Sequence, residues 1–174
     1  TLPNIAVIAP CDAVEVRLAL RAAFERTGPT YIRIGKKGEP IVHSQKPDFH
    51  IGKGIVLREG TDIGLIATGV MVPTAMAAAE LIAGRGVSAR VISMHTIKPL
   101  DIELIADCFT RLRVVGTVEE HGRIGGLGGA VAEWLSDQSP QKARLCRFGT
   151  PDQFMKTAGE TEYAREIFHL TAEH

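Results

Sequence analysis

From Gly54 onward, short apolar runs alternate with amphipathic stretches, and this alternation limits the fold more than any other feature of the chain. Ile55–Arg58, Asp62–Ala67, Ser88–Met94, Val114–Val118 and Ala143–Phe148 read as strands. Between and after them, Val72–Ala83, Ile102–Phe109, Leu127–Leu135 and Tyr163–Thr171 read as helices. Strands separated by helices favour parallel pairing, with the helices covering both faces of the sheet. The expected fold of residues 54–174 is therefore a three-layer α/β domain with a mostly parallel sheet.

The first 35 residues carry a unit of their own. Leu2–Ala9 is an apolar run closed by Pro10, and Asp12 stands where a helix N-cap belongs, before the amphipathic stretch Ala13–Arg26. Glu15, three residues on, completes a capping-box pattern in which cap and glutamate satisfy the free amides of the first turn. Thr27, Gly28 and Pro29 end the helix, and Thr30–Ile34 reads as a second strand, giving a βαβ unit. Residues 36–53 hold Gly38, Pro40, Pro47 and Gly52 without sustained periodicity and read as a linker. Pro99 cannot donate to a ladder and Asp101 can cap the next helix, so Lys98–Asp101 is expected to turn the chain. Trp134 is expected in the core.

Charge and cysteine usage exclude several classes. Twenty Lys and Arg balance 20 Asp and Glu, leaving no basic field to collect nucleic acid. No apolar run approaches the ~20 residues that span a bilayer, and Thr1–Pro10 lacks the charged start and apolar core of a signal peptide. No membrane partner is expected. Cys11, Cys108 and Cys146 are far apart in sequence and are expected to be buried thiols in a reducing, cytoplasmic setting. Thr1 in place of methionine, followed almost at once by a strand, predicts that the chain is a portion of a longer one.

Several residues invite a functional reading. Arg33 falls at the end of a βαβ strand, where ligands gather in open α/β sheets, and its guanidinium fork suits phosphate. Alternatively it is a solvated arginine beside Lys36 and Lys37. Glu119, Glu120 and His121, with Gly125, Gly126 and Gly128, precede a helix. Their backbone amides suit an anion or a close contact with a neighbouring domain or chain. Adjacent in an extended run, Glu119 and Glu120 point to opposite sides and cannot pair as acid and base. His121 is suited to proton transfer or to a structural role. Thr68 and Gly69 suit an anion nest or a helix cap. His43, His50 and His95 lack metal-ligand spacing and read as ordinary polar residues, so no metal site is expected.

The residues Glu59, Gly60, Asp62, then Leu65 to Gly69, Ala89 to Ile92, Thr96 to Asp101, Val118 to His121 and Gly125 to Gly128 stand in an order that resembles the C-terminal domain of transketolase-type, thiamine-diphosphate-dependent enzymes. Pro10, Asp12, Glu15 and Pro29 to Arg33 resemble the end of the preceding, pyrimidine-binding domain. The resemblance implies that residues 1–35 are the remnant of that domain, 36–53 a linker and 54–174 the C-terminal domain. It also implies transfer of a two-carbon ketol unit between sugar phosphates, with thiamine diphosphate and a divalent metal (Mg) in the full enzyme. Arg33 would contact the substrate phosphate. The partners implied are the missing N-terminal and pyrimidine-binding domains or a subunit that carries them, in a homodimer or heterotetramer. The chain contains no Gly-Asp-Gly triplet, which in these enzymes holds the metal and diphosphate, so the segment alone is expected to bind no cofactor, to supply no catalytic residue and to be inactive. A deoxyxylulose-phosphate synthase or the β subunit of a 2-oxoacid dehydrogenase shares this domain. A non-catalytic assembly or regulatory module is the alternative of another class.

Overall fold

The computed structural model describes residues 2–36 and 38–174; Lys37 lies outside the described residues. In chain order the elements are β1 (Ala6–Ile8), α1 (Ala13–Glu25), β2 (Thr30–Ile32), β3 (Ile55–Arg58), β4 (Ile63–Ala67) and α2 (Val72–Ala83). They continue with β5 (Ala89–Ser93), β6 (Thr96–Lys98), α3 (Ile102–Arg111), β7 (Val114–Gly122), α4 (Leu127–Ser136), β8 (Arg144–Thr150) and α5 (Thr161–Ile167).

Five strands form the main sheet in the order β3-β5-β4-β7-β8. The last four are parallel, and β3 joins the edge antiparallel to β5. Side chains alternate across such a sheet, so Leu65 and Ala67 face one core, shared with Val72, Ala75 and Ala79 of α2. Ile66 faces the other, with Ile105 and Phe109 of α3 and Leu127 and Val131 of α4. Removing one such side chain from water contributes ~1.5–3 kcal/mol, and both faces depend on it. The three-layer α/β expectation therefore holds. Trp134 is half-buried against Phe109, with ring centroids 5.7 Å apart.

Three sequence expectations need correction. The turn expected at Lys98–Asp101 is preceded by a strand: β6 pairs antiparallel with β1, and β1 pairs parallel with β2, in a second, three-stranded sheet. Residues 2–35 are thus tied to the larger domain by β6, and also by Ala9, which donates to His95 O at 2.7 Å and accepts from Gly69 N at 3.0 Å. Second, β7 runs on to Gly122, so Glu119, Glu120 and His121 are in the strand, not the loop after it. Third, Cys146 is half-buried, unlike Cys11 and Cys108.

Among the described residues, 36 and 38–53 form no helix or strand, yet two helix caps hold this segment in place. Asp12 caps α1 through Oδ1, accepting from Val14 N (2.9 Å) and Glu15 N (2.8 Å). Its Oδ2 accepts from Val42 N (2.9 Å) and His43 N (3.0 Å) of the linker. Asp101 does the same at α3, capping Leu104 N and accepting from Gly54 N at 3.0 Å with its other oxygen.

Candidate functional site

A cavity of about 580 Å³ opens above the carboxyl ends of β2, β4 and β7. Strand order reverses between β4 and β7: β5 follows β4 in sequence on one side, and β7 lies on the other. Ligands of open α/β sheets bind at such a reversal. Arg33, immediately after β2, lines this cavity together with Lys36, Thr74 of α2, Glu120 of β7 and Arg165 of α5. The Arg33 backbone amide donates to Ile8 O at 2.8 Å, which fixes the base of the side chain. Its guanidinium, 44% exposed, lies 3.9 Å from the Glu120 carboxylate and 3.4 Å from the Glu120 carbonyl. Arg165 donates to the other carboxylate oxygen of Glu120 at 2.8 Å. Glu120 therefore bridges two arginines, one from the first βαβ unit and one from the C-terminal helix. Among the described residues the lining carries three cations (Arg33, Lys36, Arg165) and four carboxylates (Glu39, Glu120, Glu160, Glu162). Such a surface suits a polyhydroxylated ligand with one anionic end, because carboxylates accept from hydroxyls while a guanidinium holds the anion.

Glu119 and Glu120 point to opposite sides, as the strand geometry requires. Glu119 is 1% exposed and accepts from Leu127 N and Gly128 N, both at 2.7 Å, at the start of α4. Burial raises its pKa, against the pull of those two amides. The chain's own carboxylate thus fills the anion position that the loop offers, which removes those two amides from any external ligand. A Cβ on Gly126 would lie 1.9 Å from Glu119 Oε2, and one on Gly128 would lie 2.7 Å from Thr117 Oγ1. These glycines serve close packing, while Gly125 serves a turn with φ +78°. His121 is exposed, with Nδ1 2.9 Å from Gly122 O. The backbone amides of Thr68 and Gly69 are bonded to Val118 O and Ala9 O, so no nest forms, and the Thr68 side chain makes no cap bond.

His43 and His95 are not ordinary polar residues, and of the expected capping box only the Asp12 half forms. Glu15 is fully buried and reaches back to Cys11 N (2.7 Å), not to the cap residue. It also accepts from Ser93 Oγ (2.7 Å) and pairs with His43 Nε2 (2.9 Å). Burial works to raise the Glu15 pKa, but the bonds from His43 and Cys11 outweigh it and the net shift is downward. The same hydrogen bond raises that of His43. The pair is sealed between α1, the linker and β5, and each partner favours the other's charged form. His95 is buried, stacks on Phe49 at 3.9 Å, and is held neutral because burial pushes its pKa down to about 4. Alternation along sequence could not reveal this cluster, since its members are contributed by segments up to 78 residues apart.

Cys11, Asp12 and His43 place one ligand atom each within 4.8 Å of one another, the one such group among the described residues. Both Asp12 oxygens are committed to four amides and His43 Nε2 to Glu15, while burial pushes the Cys11 thiol pKa up. A metal ion needs deprotonated, available donors, so these residues do not fit one. Neither do they fit the metal and diphosphate of a thiamine cofactor.

Residues 52–174 match the family model described as "Transketolase, C-terminal domain". The chain belongs to the transketolase family. It is 39% identical over 171 residues to a 6-deoxy-6-sulfo-D-fructose transketolase subunit of Clostridium sp. (strain MSTE9), covering 98% of this chain and 52% of that protein. A putative transketolase C-terminal section of Methanocaldococcus jannaschii is 39% identical over 174 residues, covering 99% and 54% respectively. A 1-deoxy-D-xylulose-5-phosphate synthase of Prochlorococcus marinus is also 39% identical, over 98% of this chain and 27% of its own length. Among solved structures, one described as "Split gene transketolase, inactive beta4 tetramer" superposes with a TM-score of 0.92 at 40% identity, covering 99% of this chain and 56% of that one. The chain thus spans about half the length of the transketolase subunits it matches. No helix among the described residues is long and apolar enough to cross a membrane.

Proposed function

We propose that this chain forms part of a thiamine-diphosphate-dependent transketolase that moves a two-carbon ketol unit between sugar phosphates, and that Arg33 holds the substrate phosphate. The observation that carries this reading is the position of Arg33 in the cavity at the strand reversal, with carboxylates around it to accept sugar hydroxyls. The cofactor, its metal and the catalytic groups come from the rest of the enzyme, supplied by missing N-terminal and pyrimidine-binding domains or by a partner subunit. The assembly is a homodimer or heterotetramer in the cytoplasm, and the segment alone is inactive. The subunit and section names of the relatives support division of the enzyme between chains.

Arg33→Ala in the complete enzyme tests the phosphate role. A lost charge-assisted hydrogen bond costs ~1.5–3 kcal/mol, so KM for phosphorylated sugars should rise roughly 10- to 100-fold and that for unphosphorylated sugars should change little. Equal changes for both would remove the phosphate from Arg33. A second reading, a deoxyxylulose-phosphate synthase, draws support from the equal identity to the Prochlorococcus enzyme. Formation of 1-deoxy-D-xylulose 5-phosphate by the complete enzyme would select it over ketol transfer.

A further inference from the structure

A second cavity, of about 450 Å³, opens at the carboxyl end of β8 and shares no lining residue with the Arg33 cavity. Arg147 and Phe148 of β8 form one side with Arg123, which follows β7. Arg147 Nη1 donates to the Arg123 carbonyl at 3.2 Å, which sets the two arginines side by side. His169 and His174 stand on the segment after α5, with ring centroids 4.6 Å apart. The His174 ring is further placed by Thr171, whose Oγ1 lies 2.9 Å from Nδ1.

Charge separates this cavity from the first. Its lining holds two arginines and two histidines and no carboxylate. Among the described residues neither Arg123 nor Arg147 has an ion-pair partner, unlike the two arginines of the first cavity, Arg33 and Arg165, which share Glu120. Glu119 is near Arg147, but both its oxygens are spent on the α4 amides. Most of the remaining lining is apolar, with Phe148, Phe168 and Leu170, beside one amide, Gln153. Two arginines lining one cavity with aromatic rings suit an anion with planar or tetrahedral oxygens joined to a carbon skeleton. The volume falls within the ~300–1,000 Å³ of small-molecule sites, larger than a bare phosphate requires.

We propose that this pocket binds a small organic phosphate, its charged end on Arg123 and Arg147 and its carbon portion against Phe148 and Phe168. The site is independent of Arg33 and of the ketol-transfer reading. Calorimetric titration of the full chain with phenyl phosphate, inorganic phosphate and phenol tests it. Phenyl phosphate should bind several-fold more tightly than inorganic phosphate, and phenol should not bind. Arg123→Ala and Arg147→Ala should each weaken phenyl phosphate binding at this pocket at least tenfold, Arg147→Lys should fall between, and Arg85→Ala, an exposed arginine outside both cavities, should leave it unchanged. Circular dichroism confirms that each variant is folded, and Arg147→Lys keeps the charge where Arg147→Ala does not fold. Binding that disappears with Arg33→Ala but survives Arg147→Ala overturns the proposal, as does phenol binding as well as phenyl phosphate. So does a change of oligomeric mass in the arginine variants without a change in phosphate affinity, which would assign the pair to a contact between chains.

Discussion

Asp12 carries two jobs on one carboxylate, and the structure allows them to be separated. The residue is 2% exposed, with Oδ1 on the first turn of α1 and Oδ2 on the linker amides of Val42 and His43. Losing an N-cap costs ~1 kcal/mol. Leaving a buried amide without an acceptor costs ~1–3 kcal/mol, toward the low end at Val42, whose environment is only partly buried. Asp12→Ala should therefore lose roughly 3–5 kcal/mol, a large share of the ~5–15 kcal/mol typical of a domain. Asp12→Ser keeps a cap oxygen but does not reach the linker, and should lose roughly 2–4 kcal/mol, all from the linker bonds. Urea denaturation gives both values, and amide hydrogen exchange reads Val42 and His43 directly. Both amides should exchange faster in the serine variant while the first turn of α1 stays protected. If Asp12→Ser is as stable as the parent and the Val42 and His43 amides keep their protection, the linker is held by something other than Asp12.

Gly126→Ala should displace the Glu119 carboxylate from the α4 amides, since the new Cβ would lie 1.9 Å from Oε2, and lower stability by ~2 kcal/mol or more; Gly125→Asn, in open space at a φ that asparagine tolerates, should cost well under that. Thermal denaturation of the two variants separates packing at Gly126 from simple loop flexibility. The raised pKa of His43 implies stabilisation that is complete below the unfolded histidine pKa and is lost as pH rises through the folded value. Stability measured from pH 6 upward should fall with a slope that His43→Gln abolishes; an unchanged slope in that variant would assign it to another group. For Asp12 the sign is opposite: its pKa is lowered, because the amide bonds outweigh burial, so that its contribution is lost as pH falls through the folded value.

The parallel core of the fold was legible because its signals are local. Ile63–Ala67 and Ala89–Ser93 are short runs buried almost throughout, as central strands covered on both faces are, and Asp12 and Asp101 announce their helices within three residues. Arg33 was found from its place after a strand, and the structure sets it in the cavity at the strand reversal. What escaped was partnership over distance. Nothing near Glu15 in sequence indicates His43 or Ser93, and nothing near Thr96–Lys98 indicates that it would pair with β1.

The sequence alone determined the family, the three-layer domain and the opposite orientation of Glu119 and Glu120, since each follows from residue order or a two-residue period. Only the tertiary structure decided what those carboxylates face. Glu119 turns inward to complete a helix and closes the anion position of the glycine-rich loop, while Glu120 turns outward between Arg33 and Arg165. The physical reason is that a carboxylate's role depends on which donors packing brings within hydrogen-bond reach, and here those donors come from α4, from β2 and from α5.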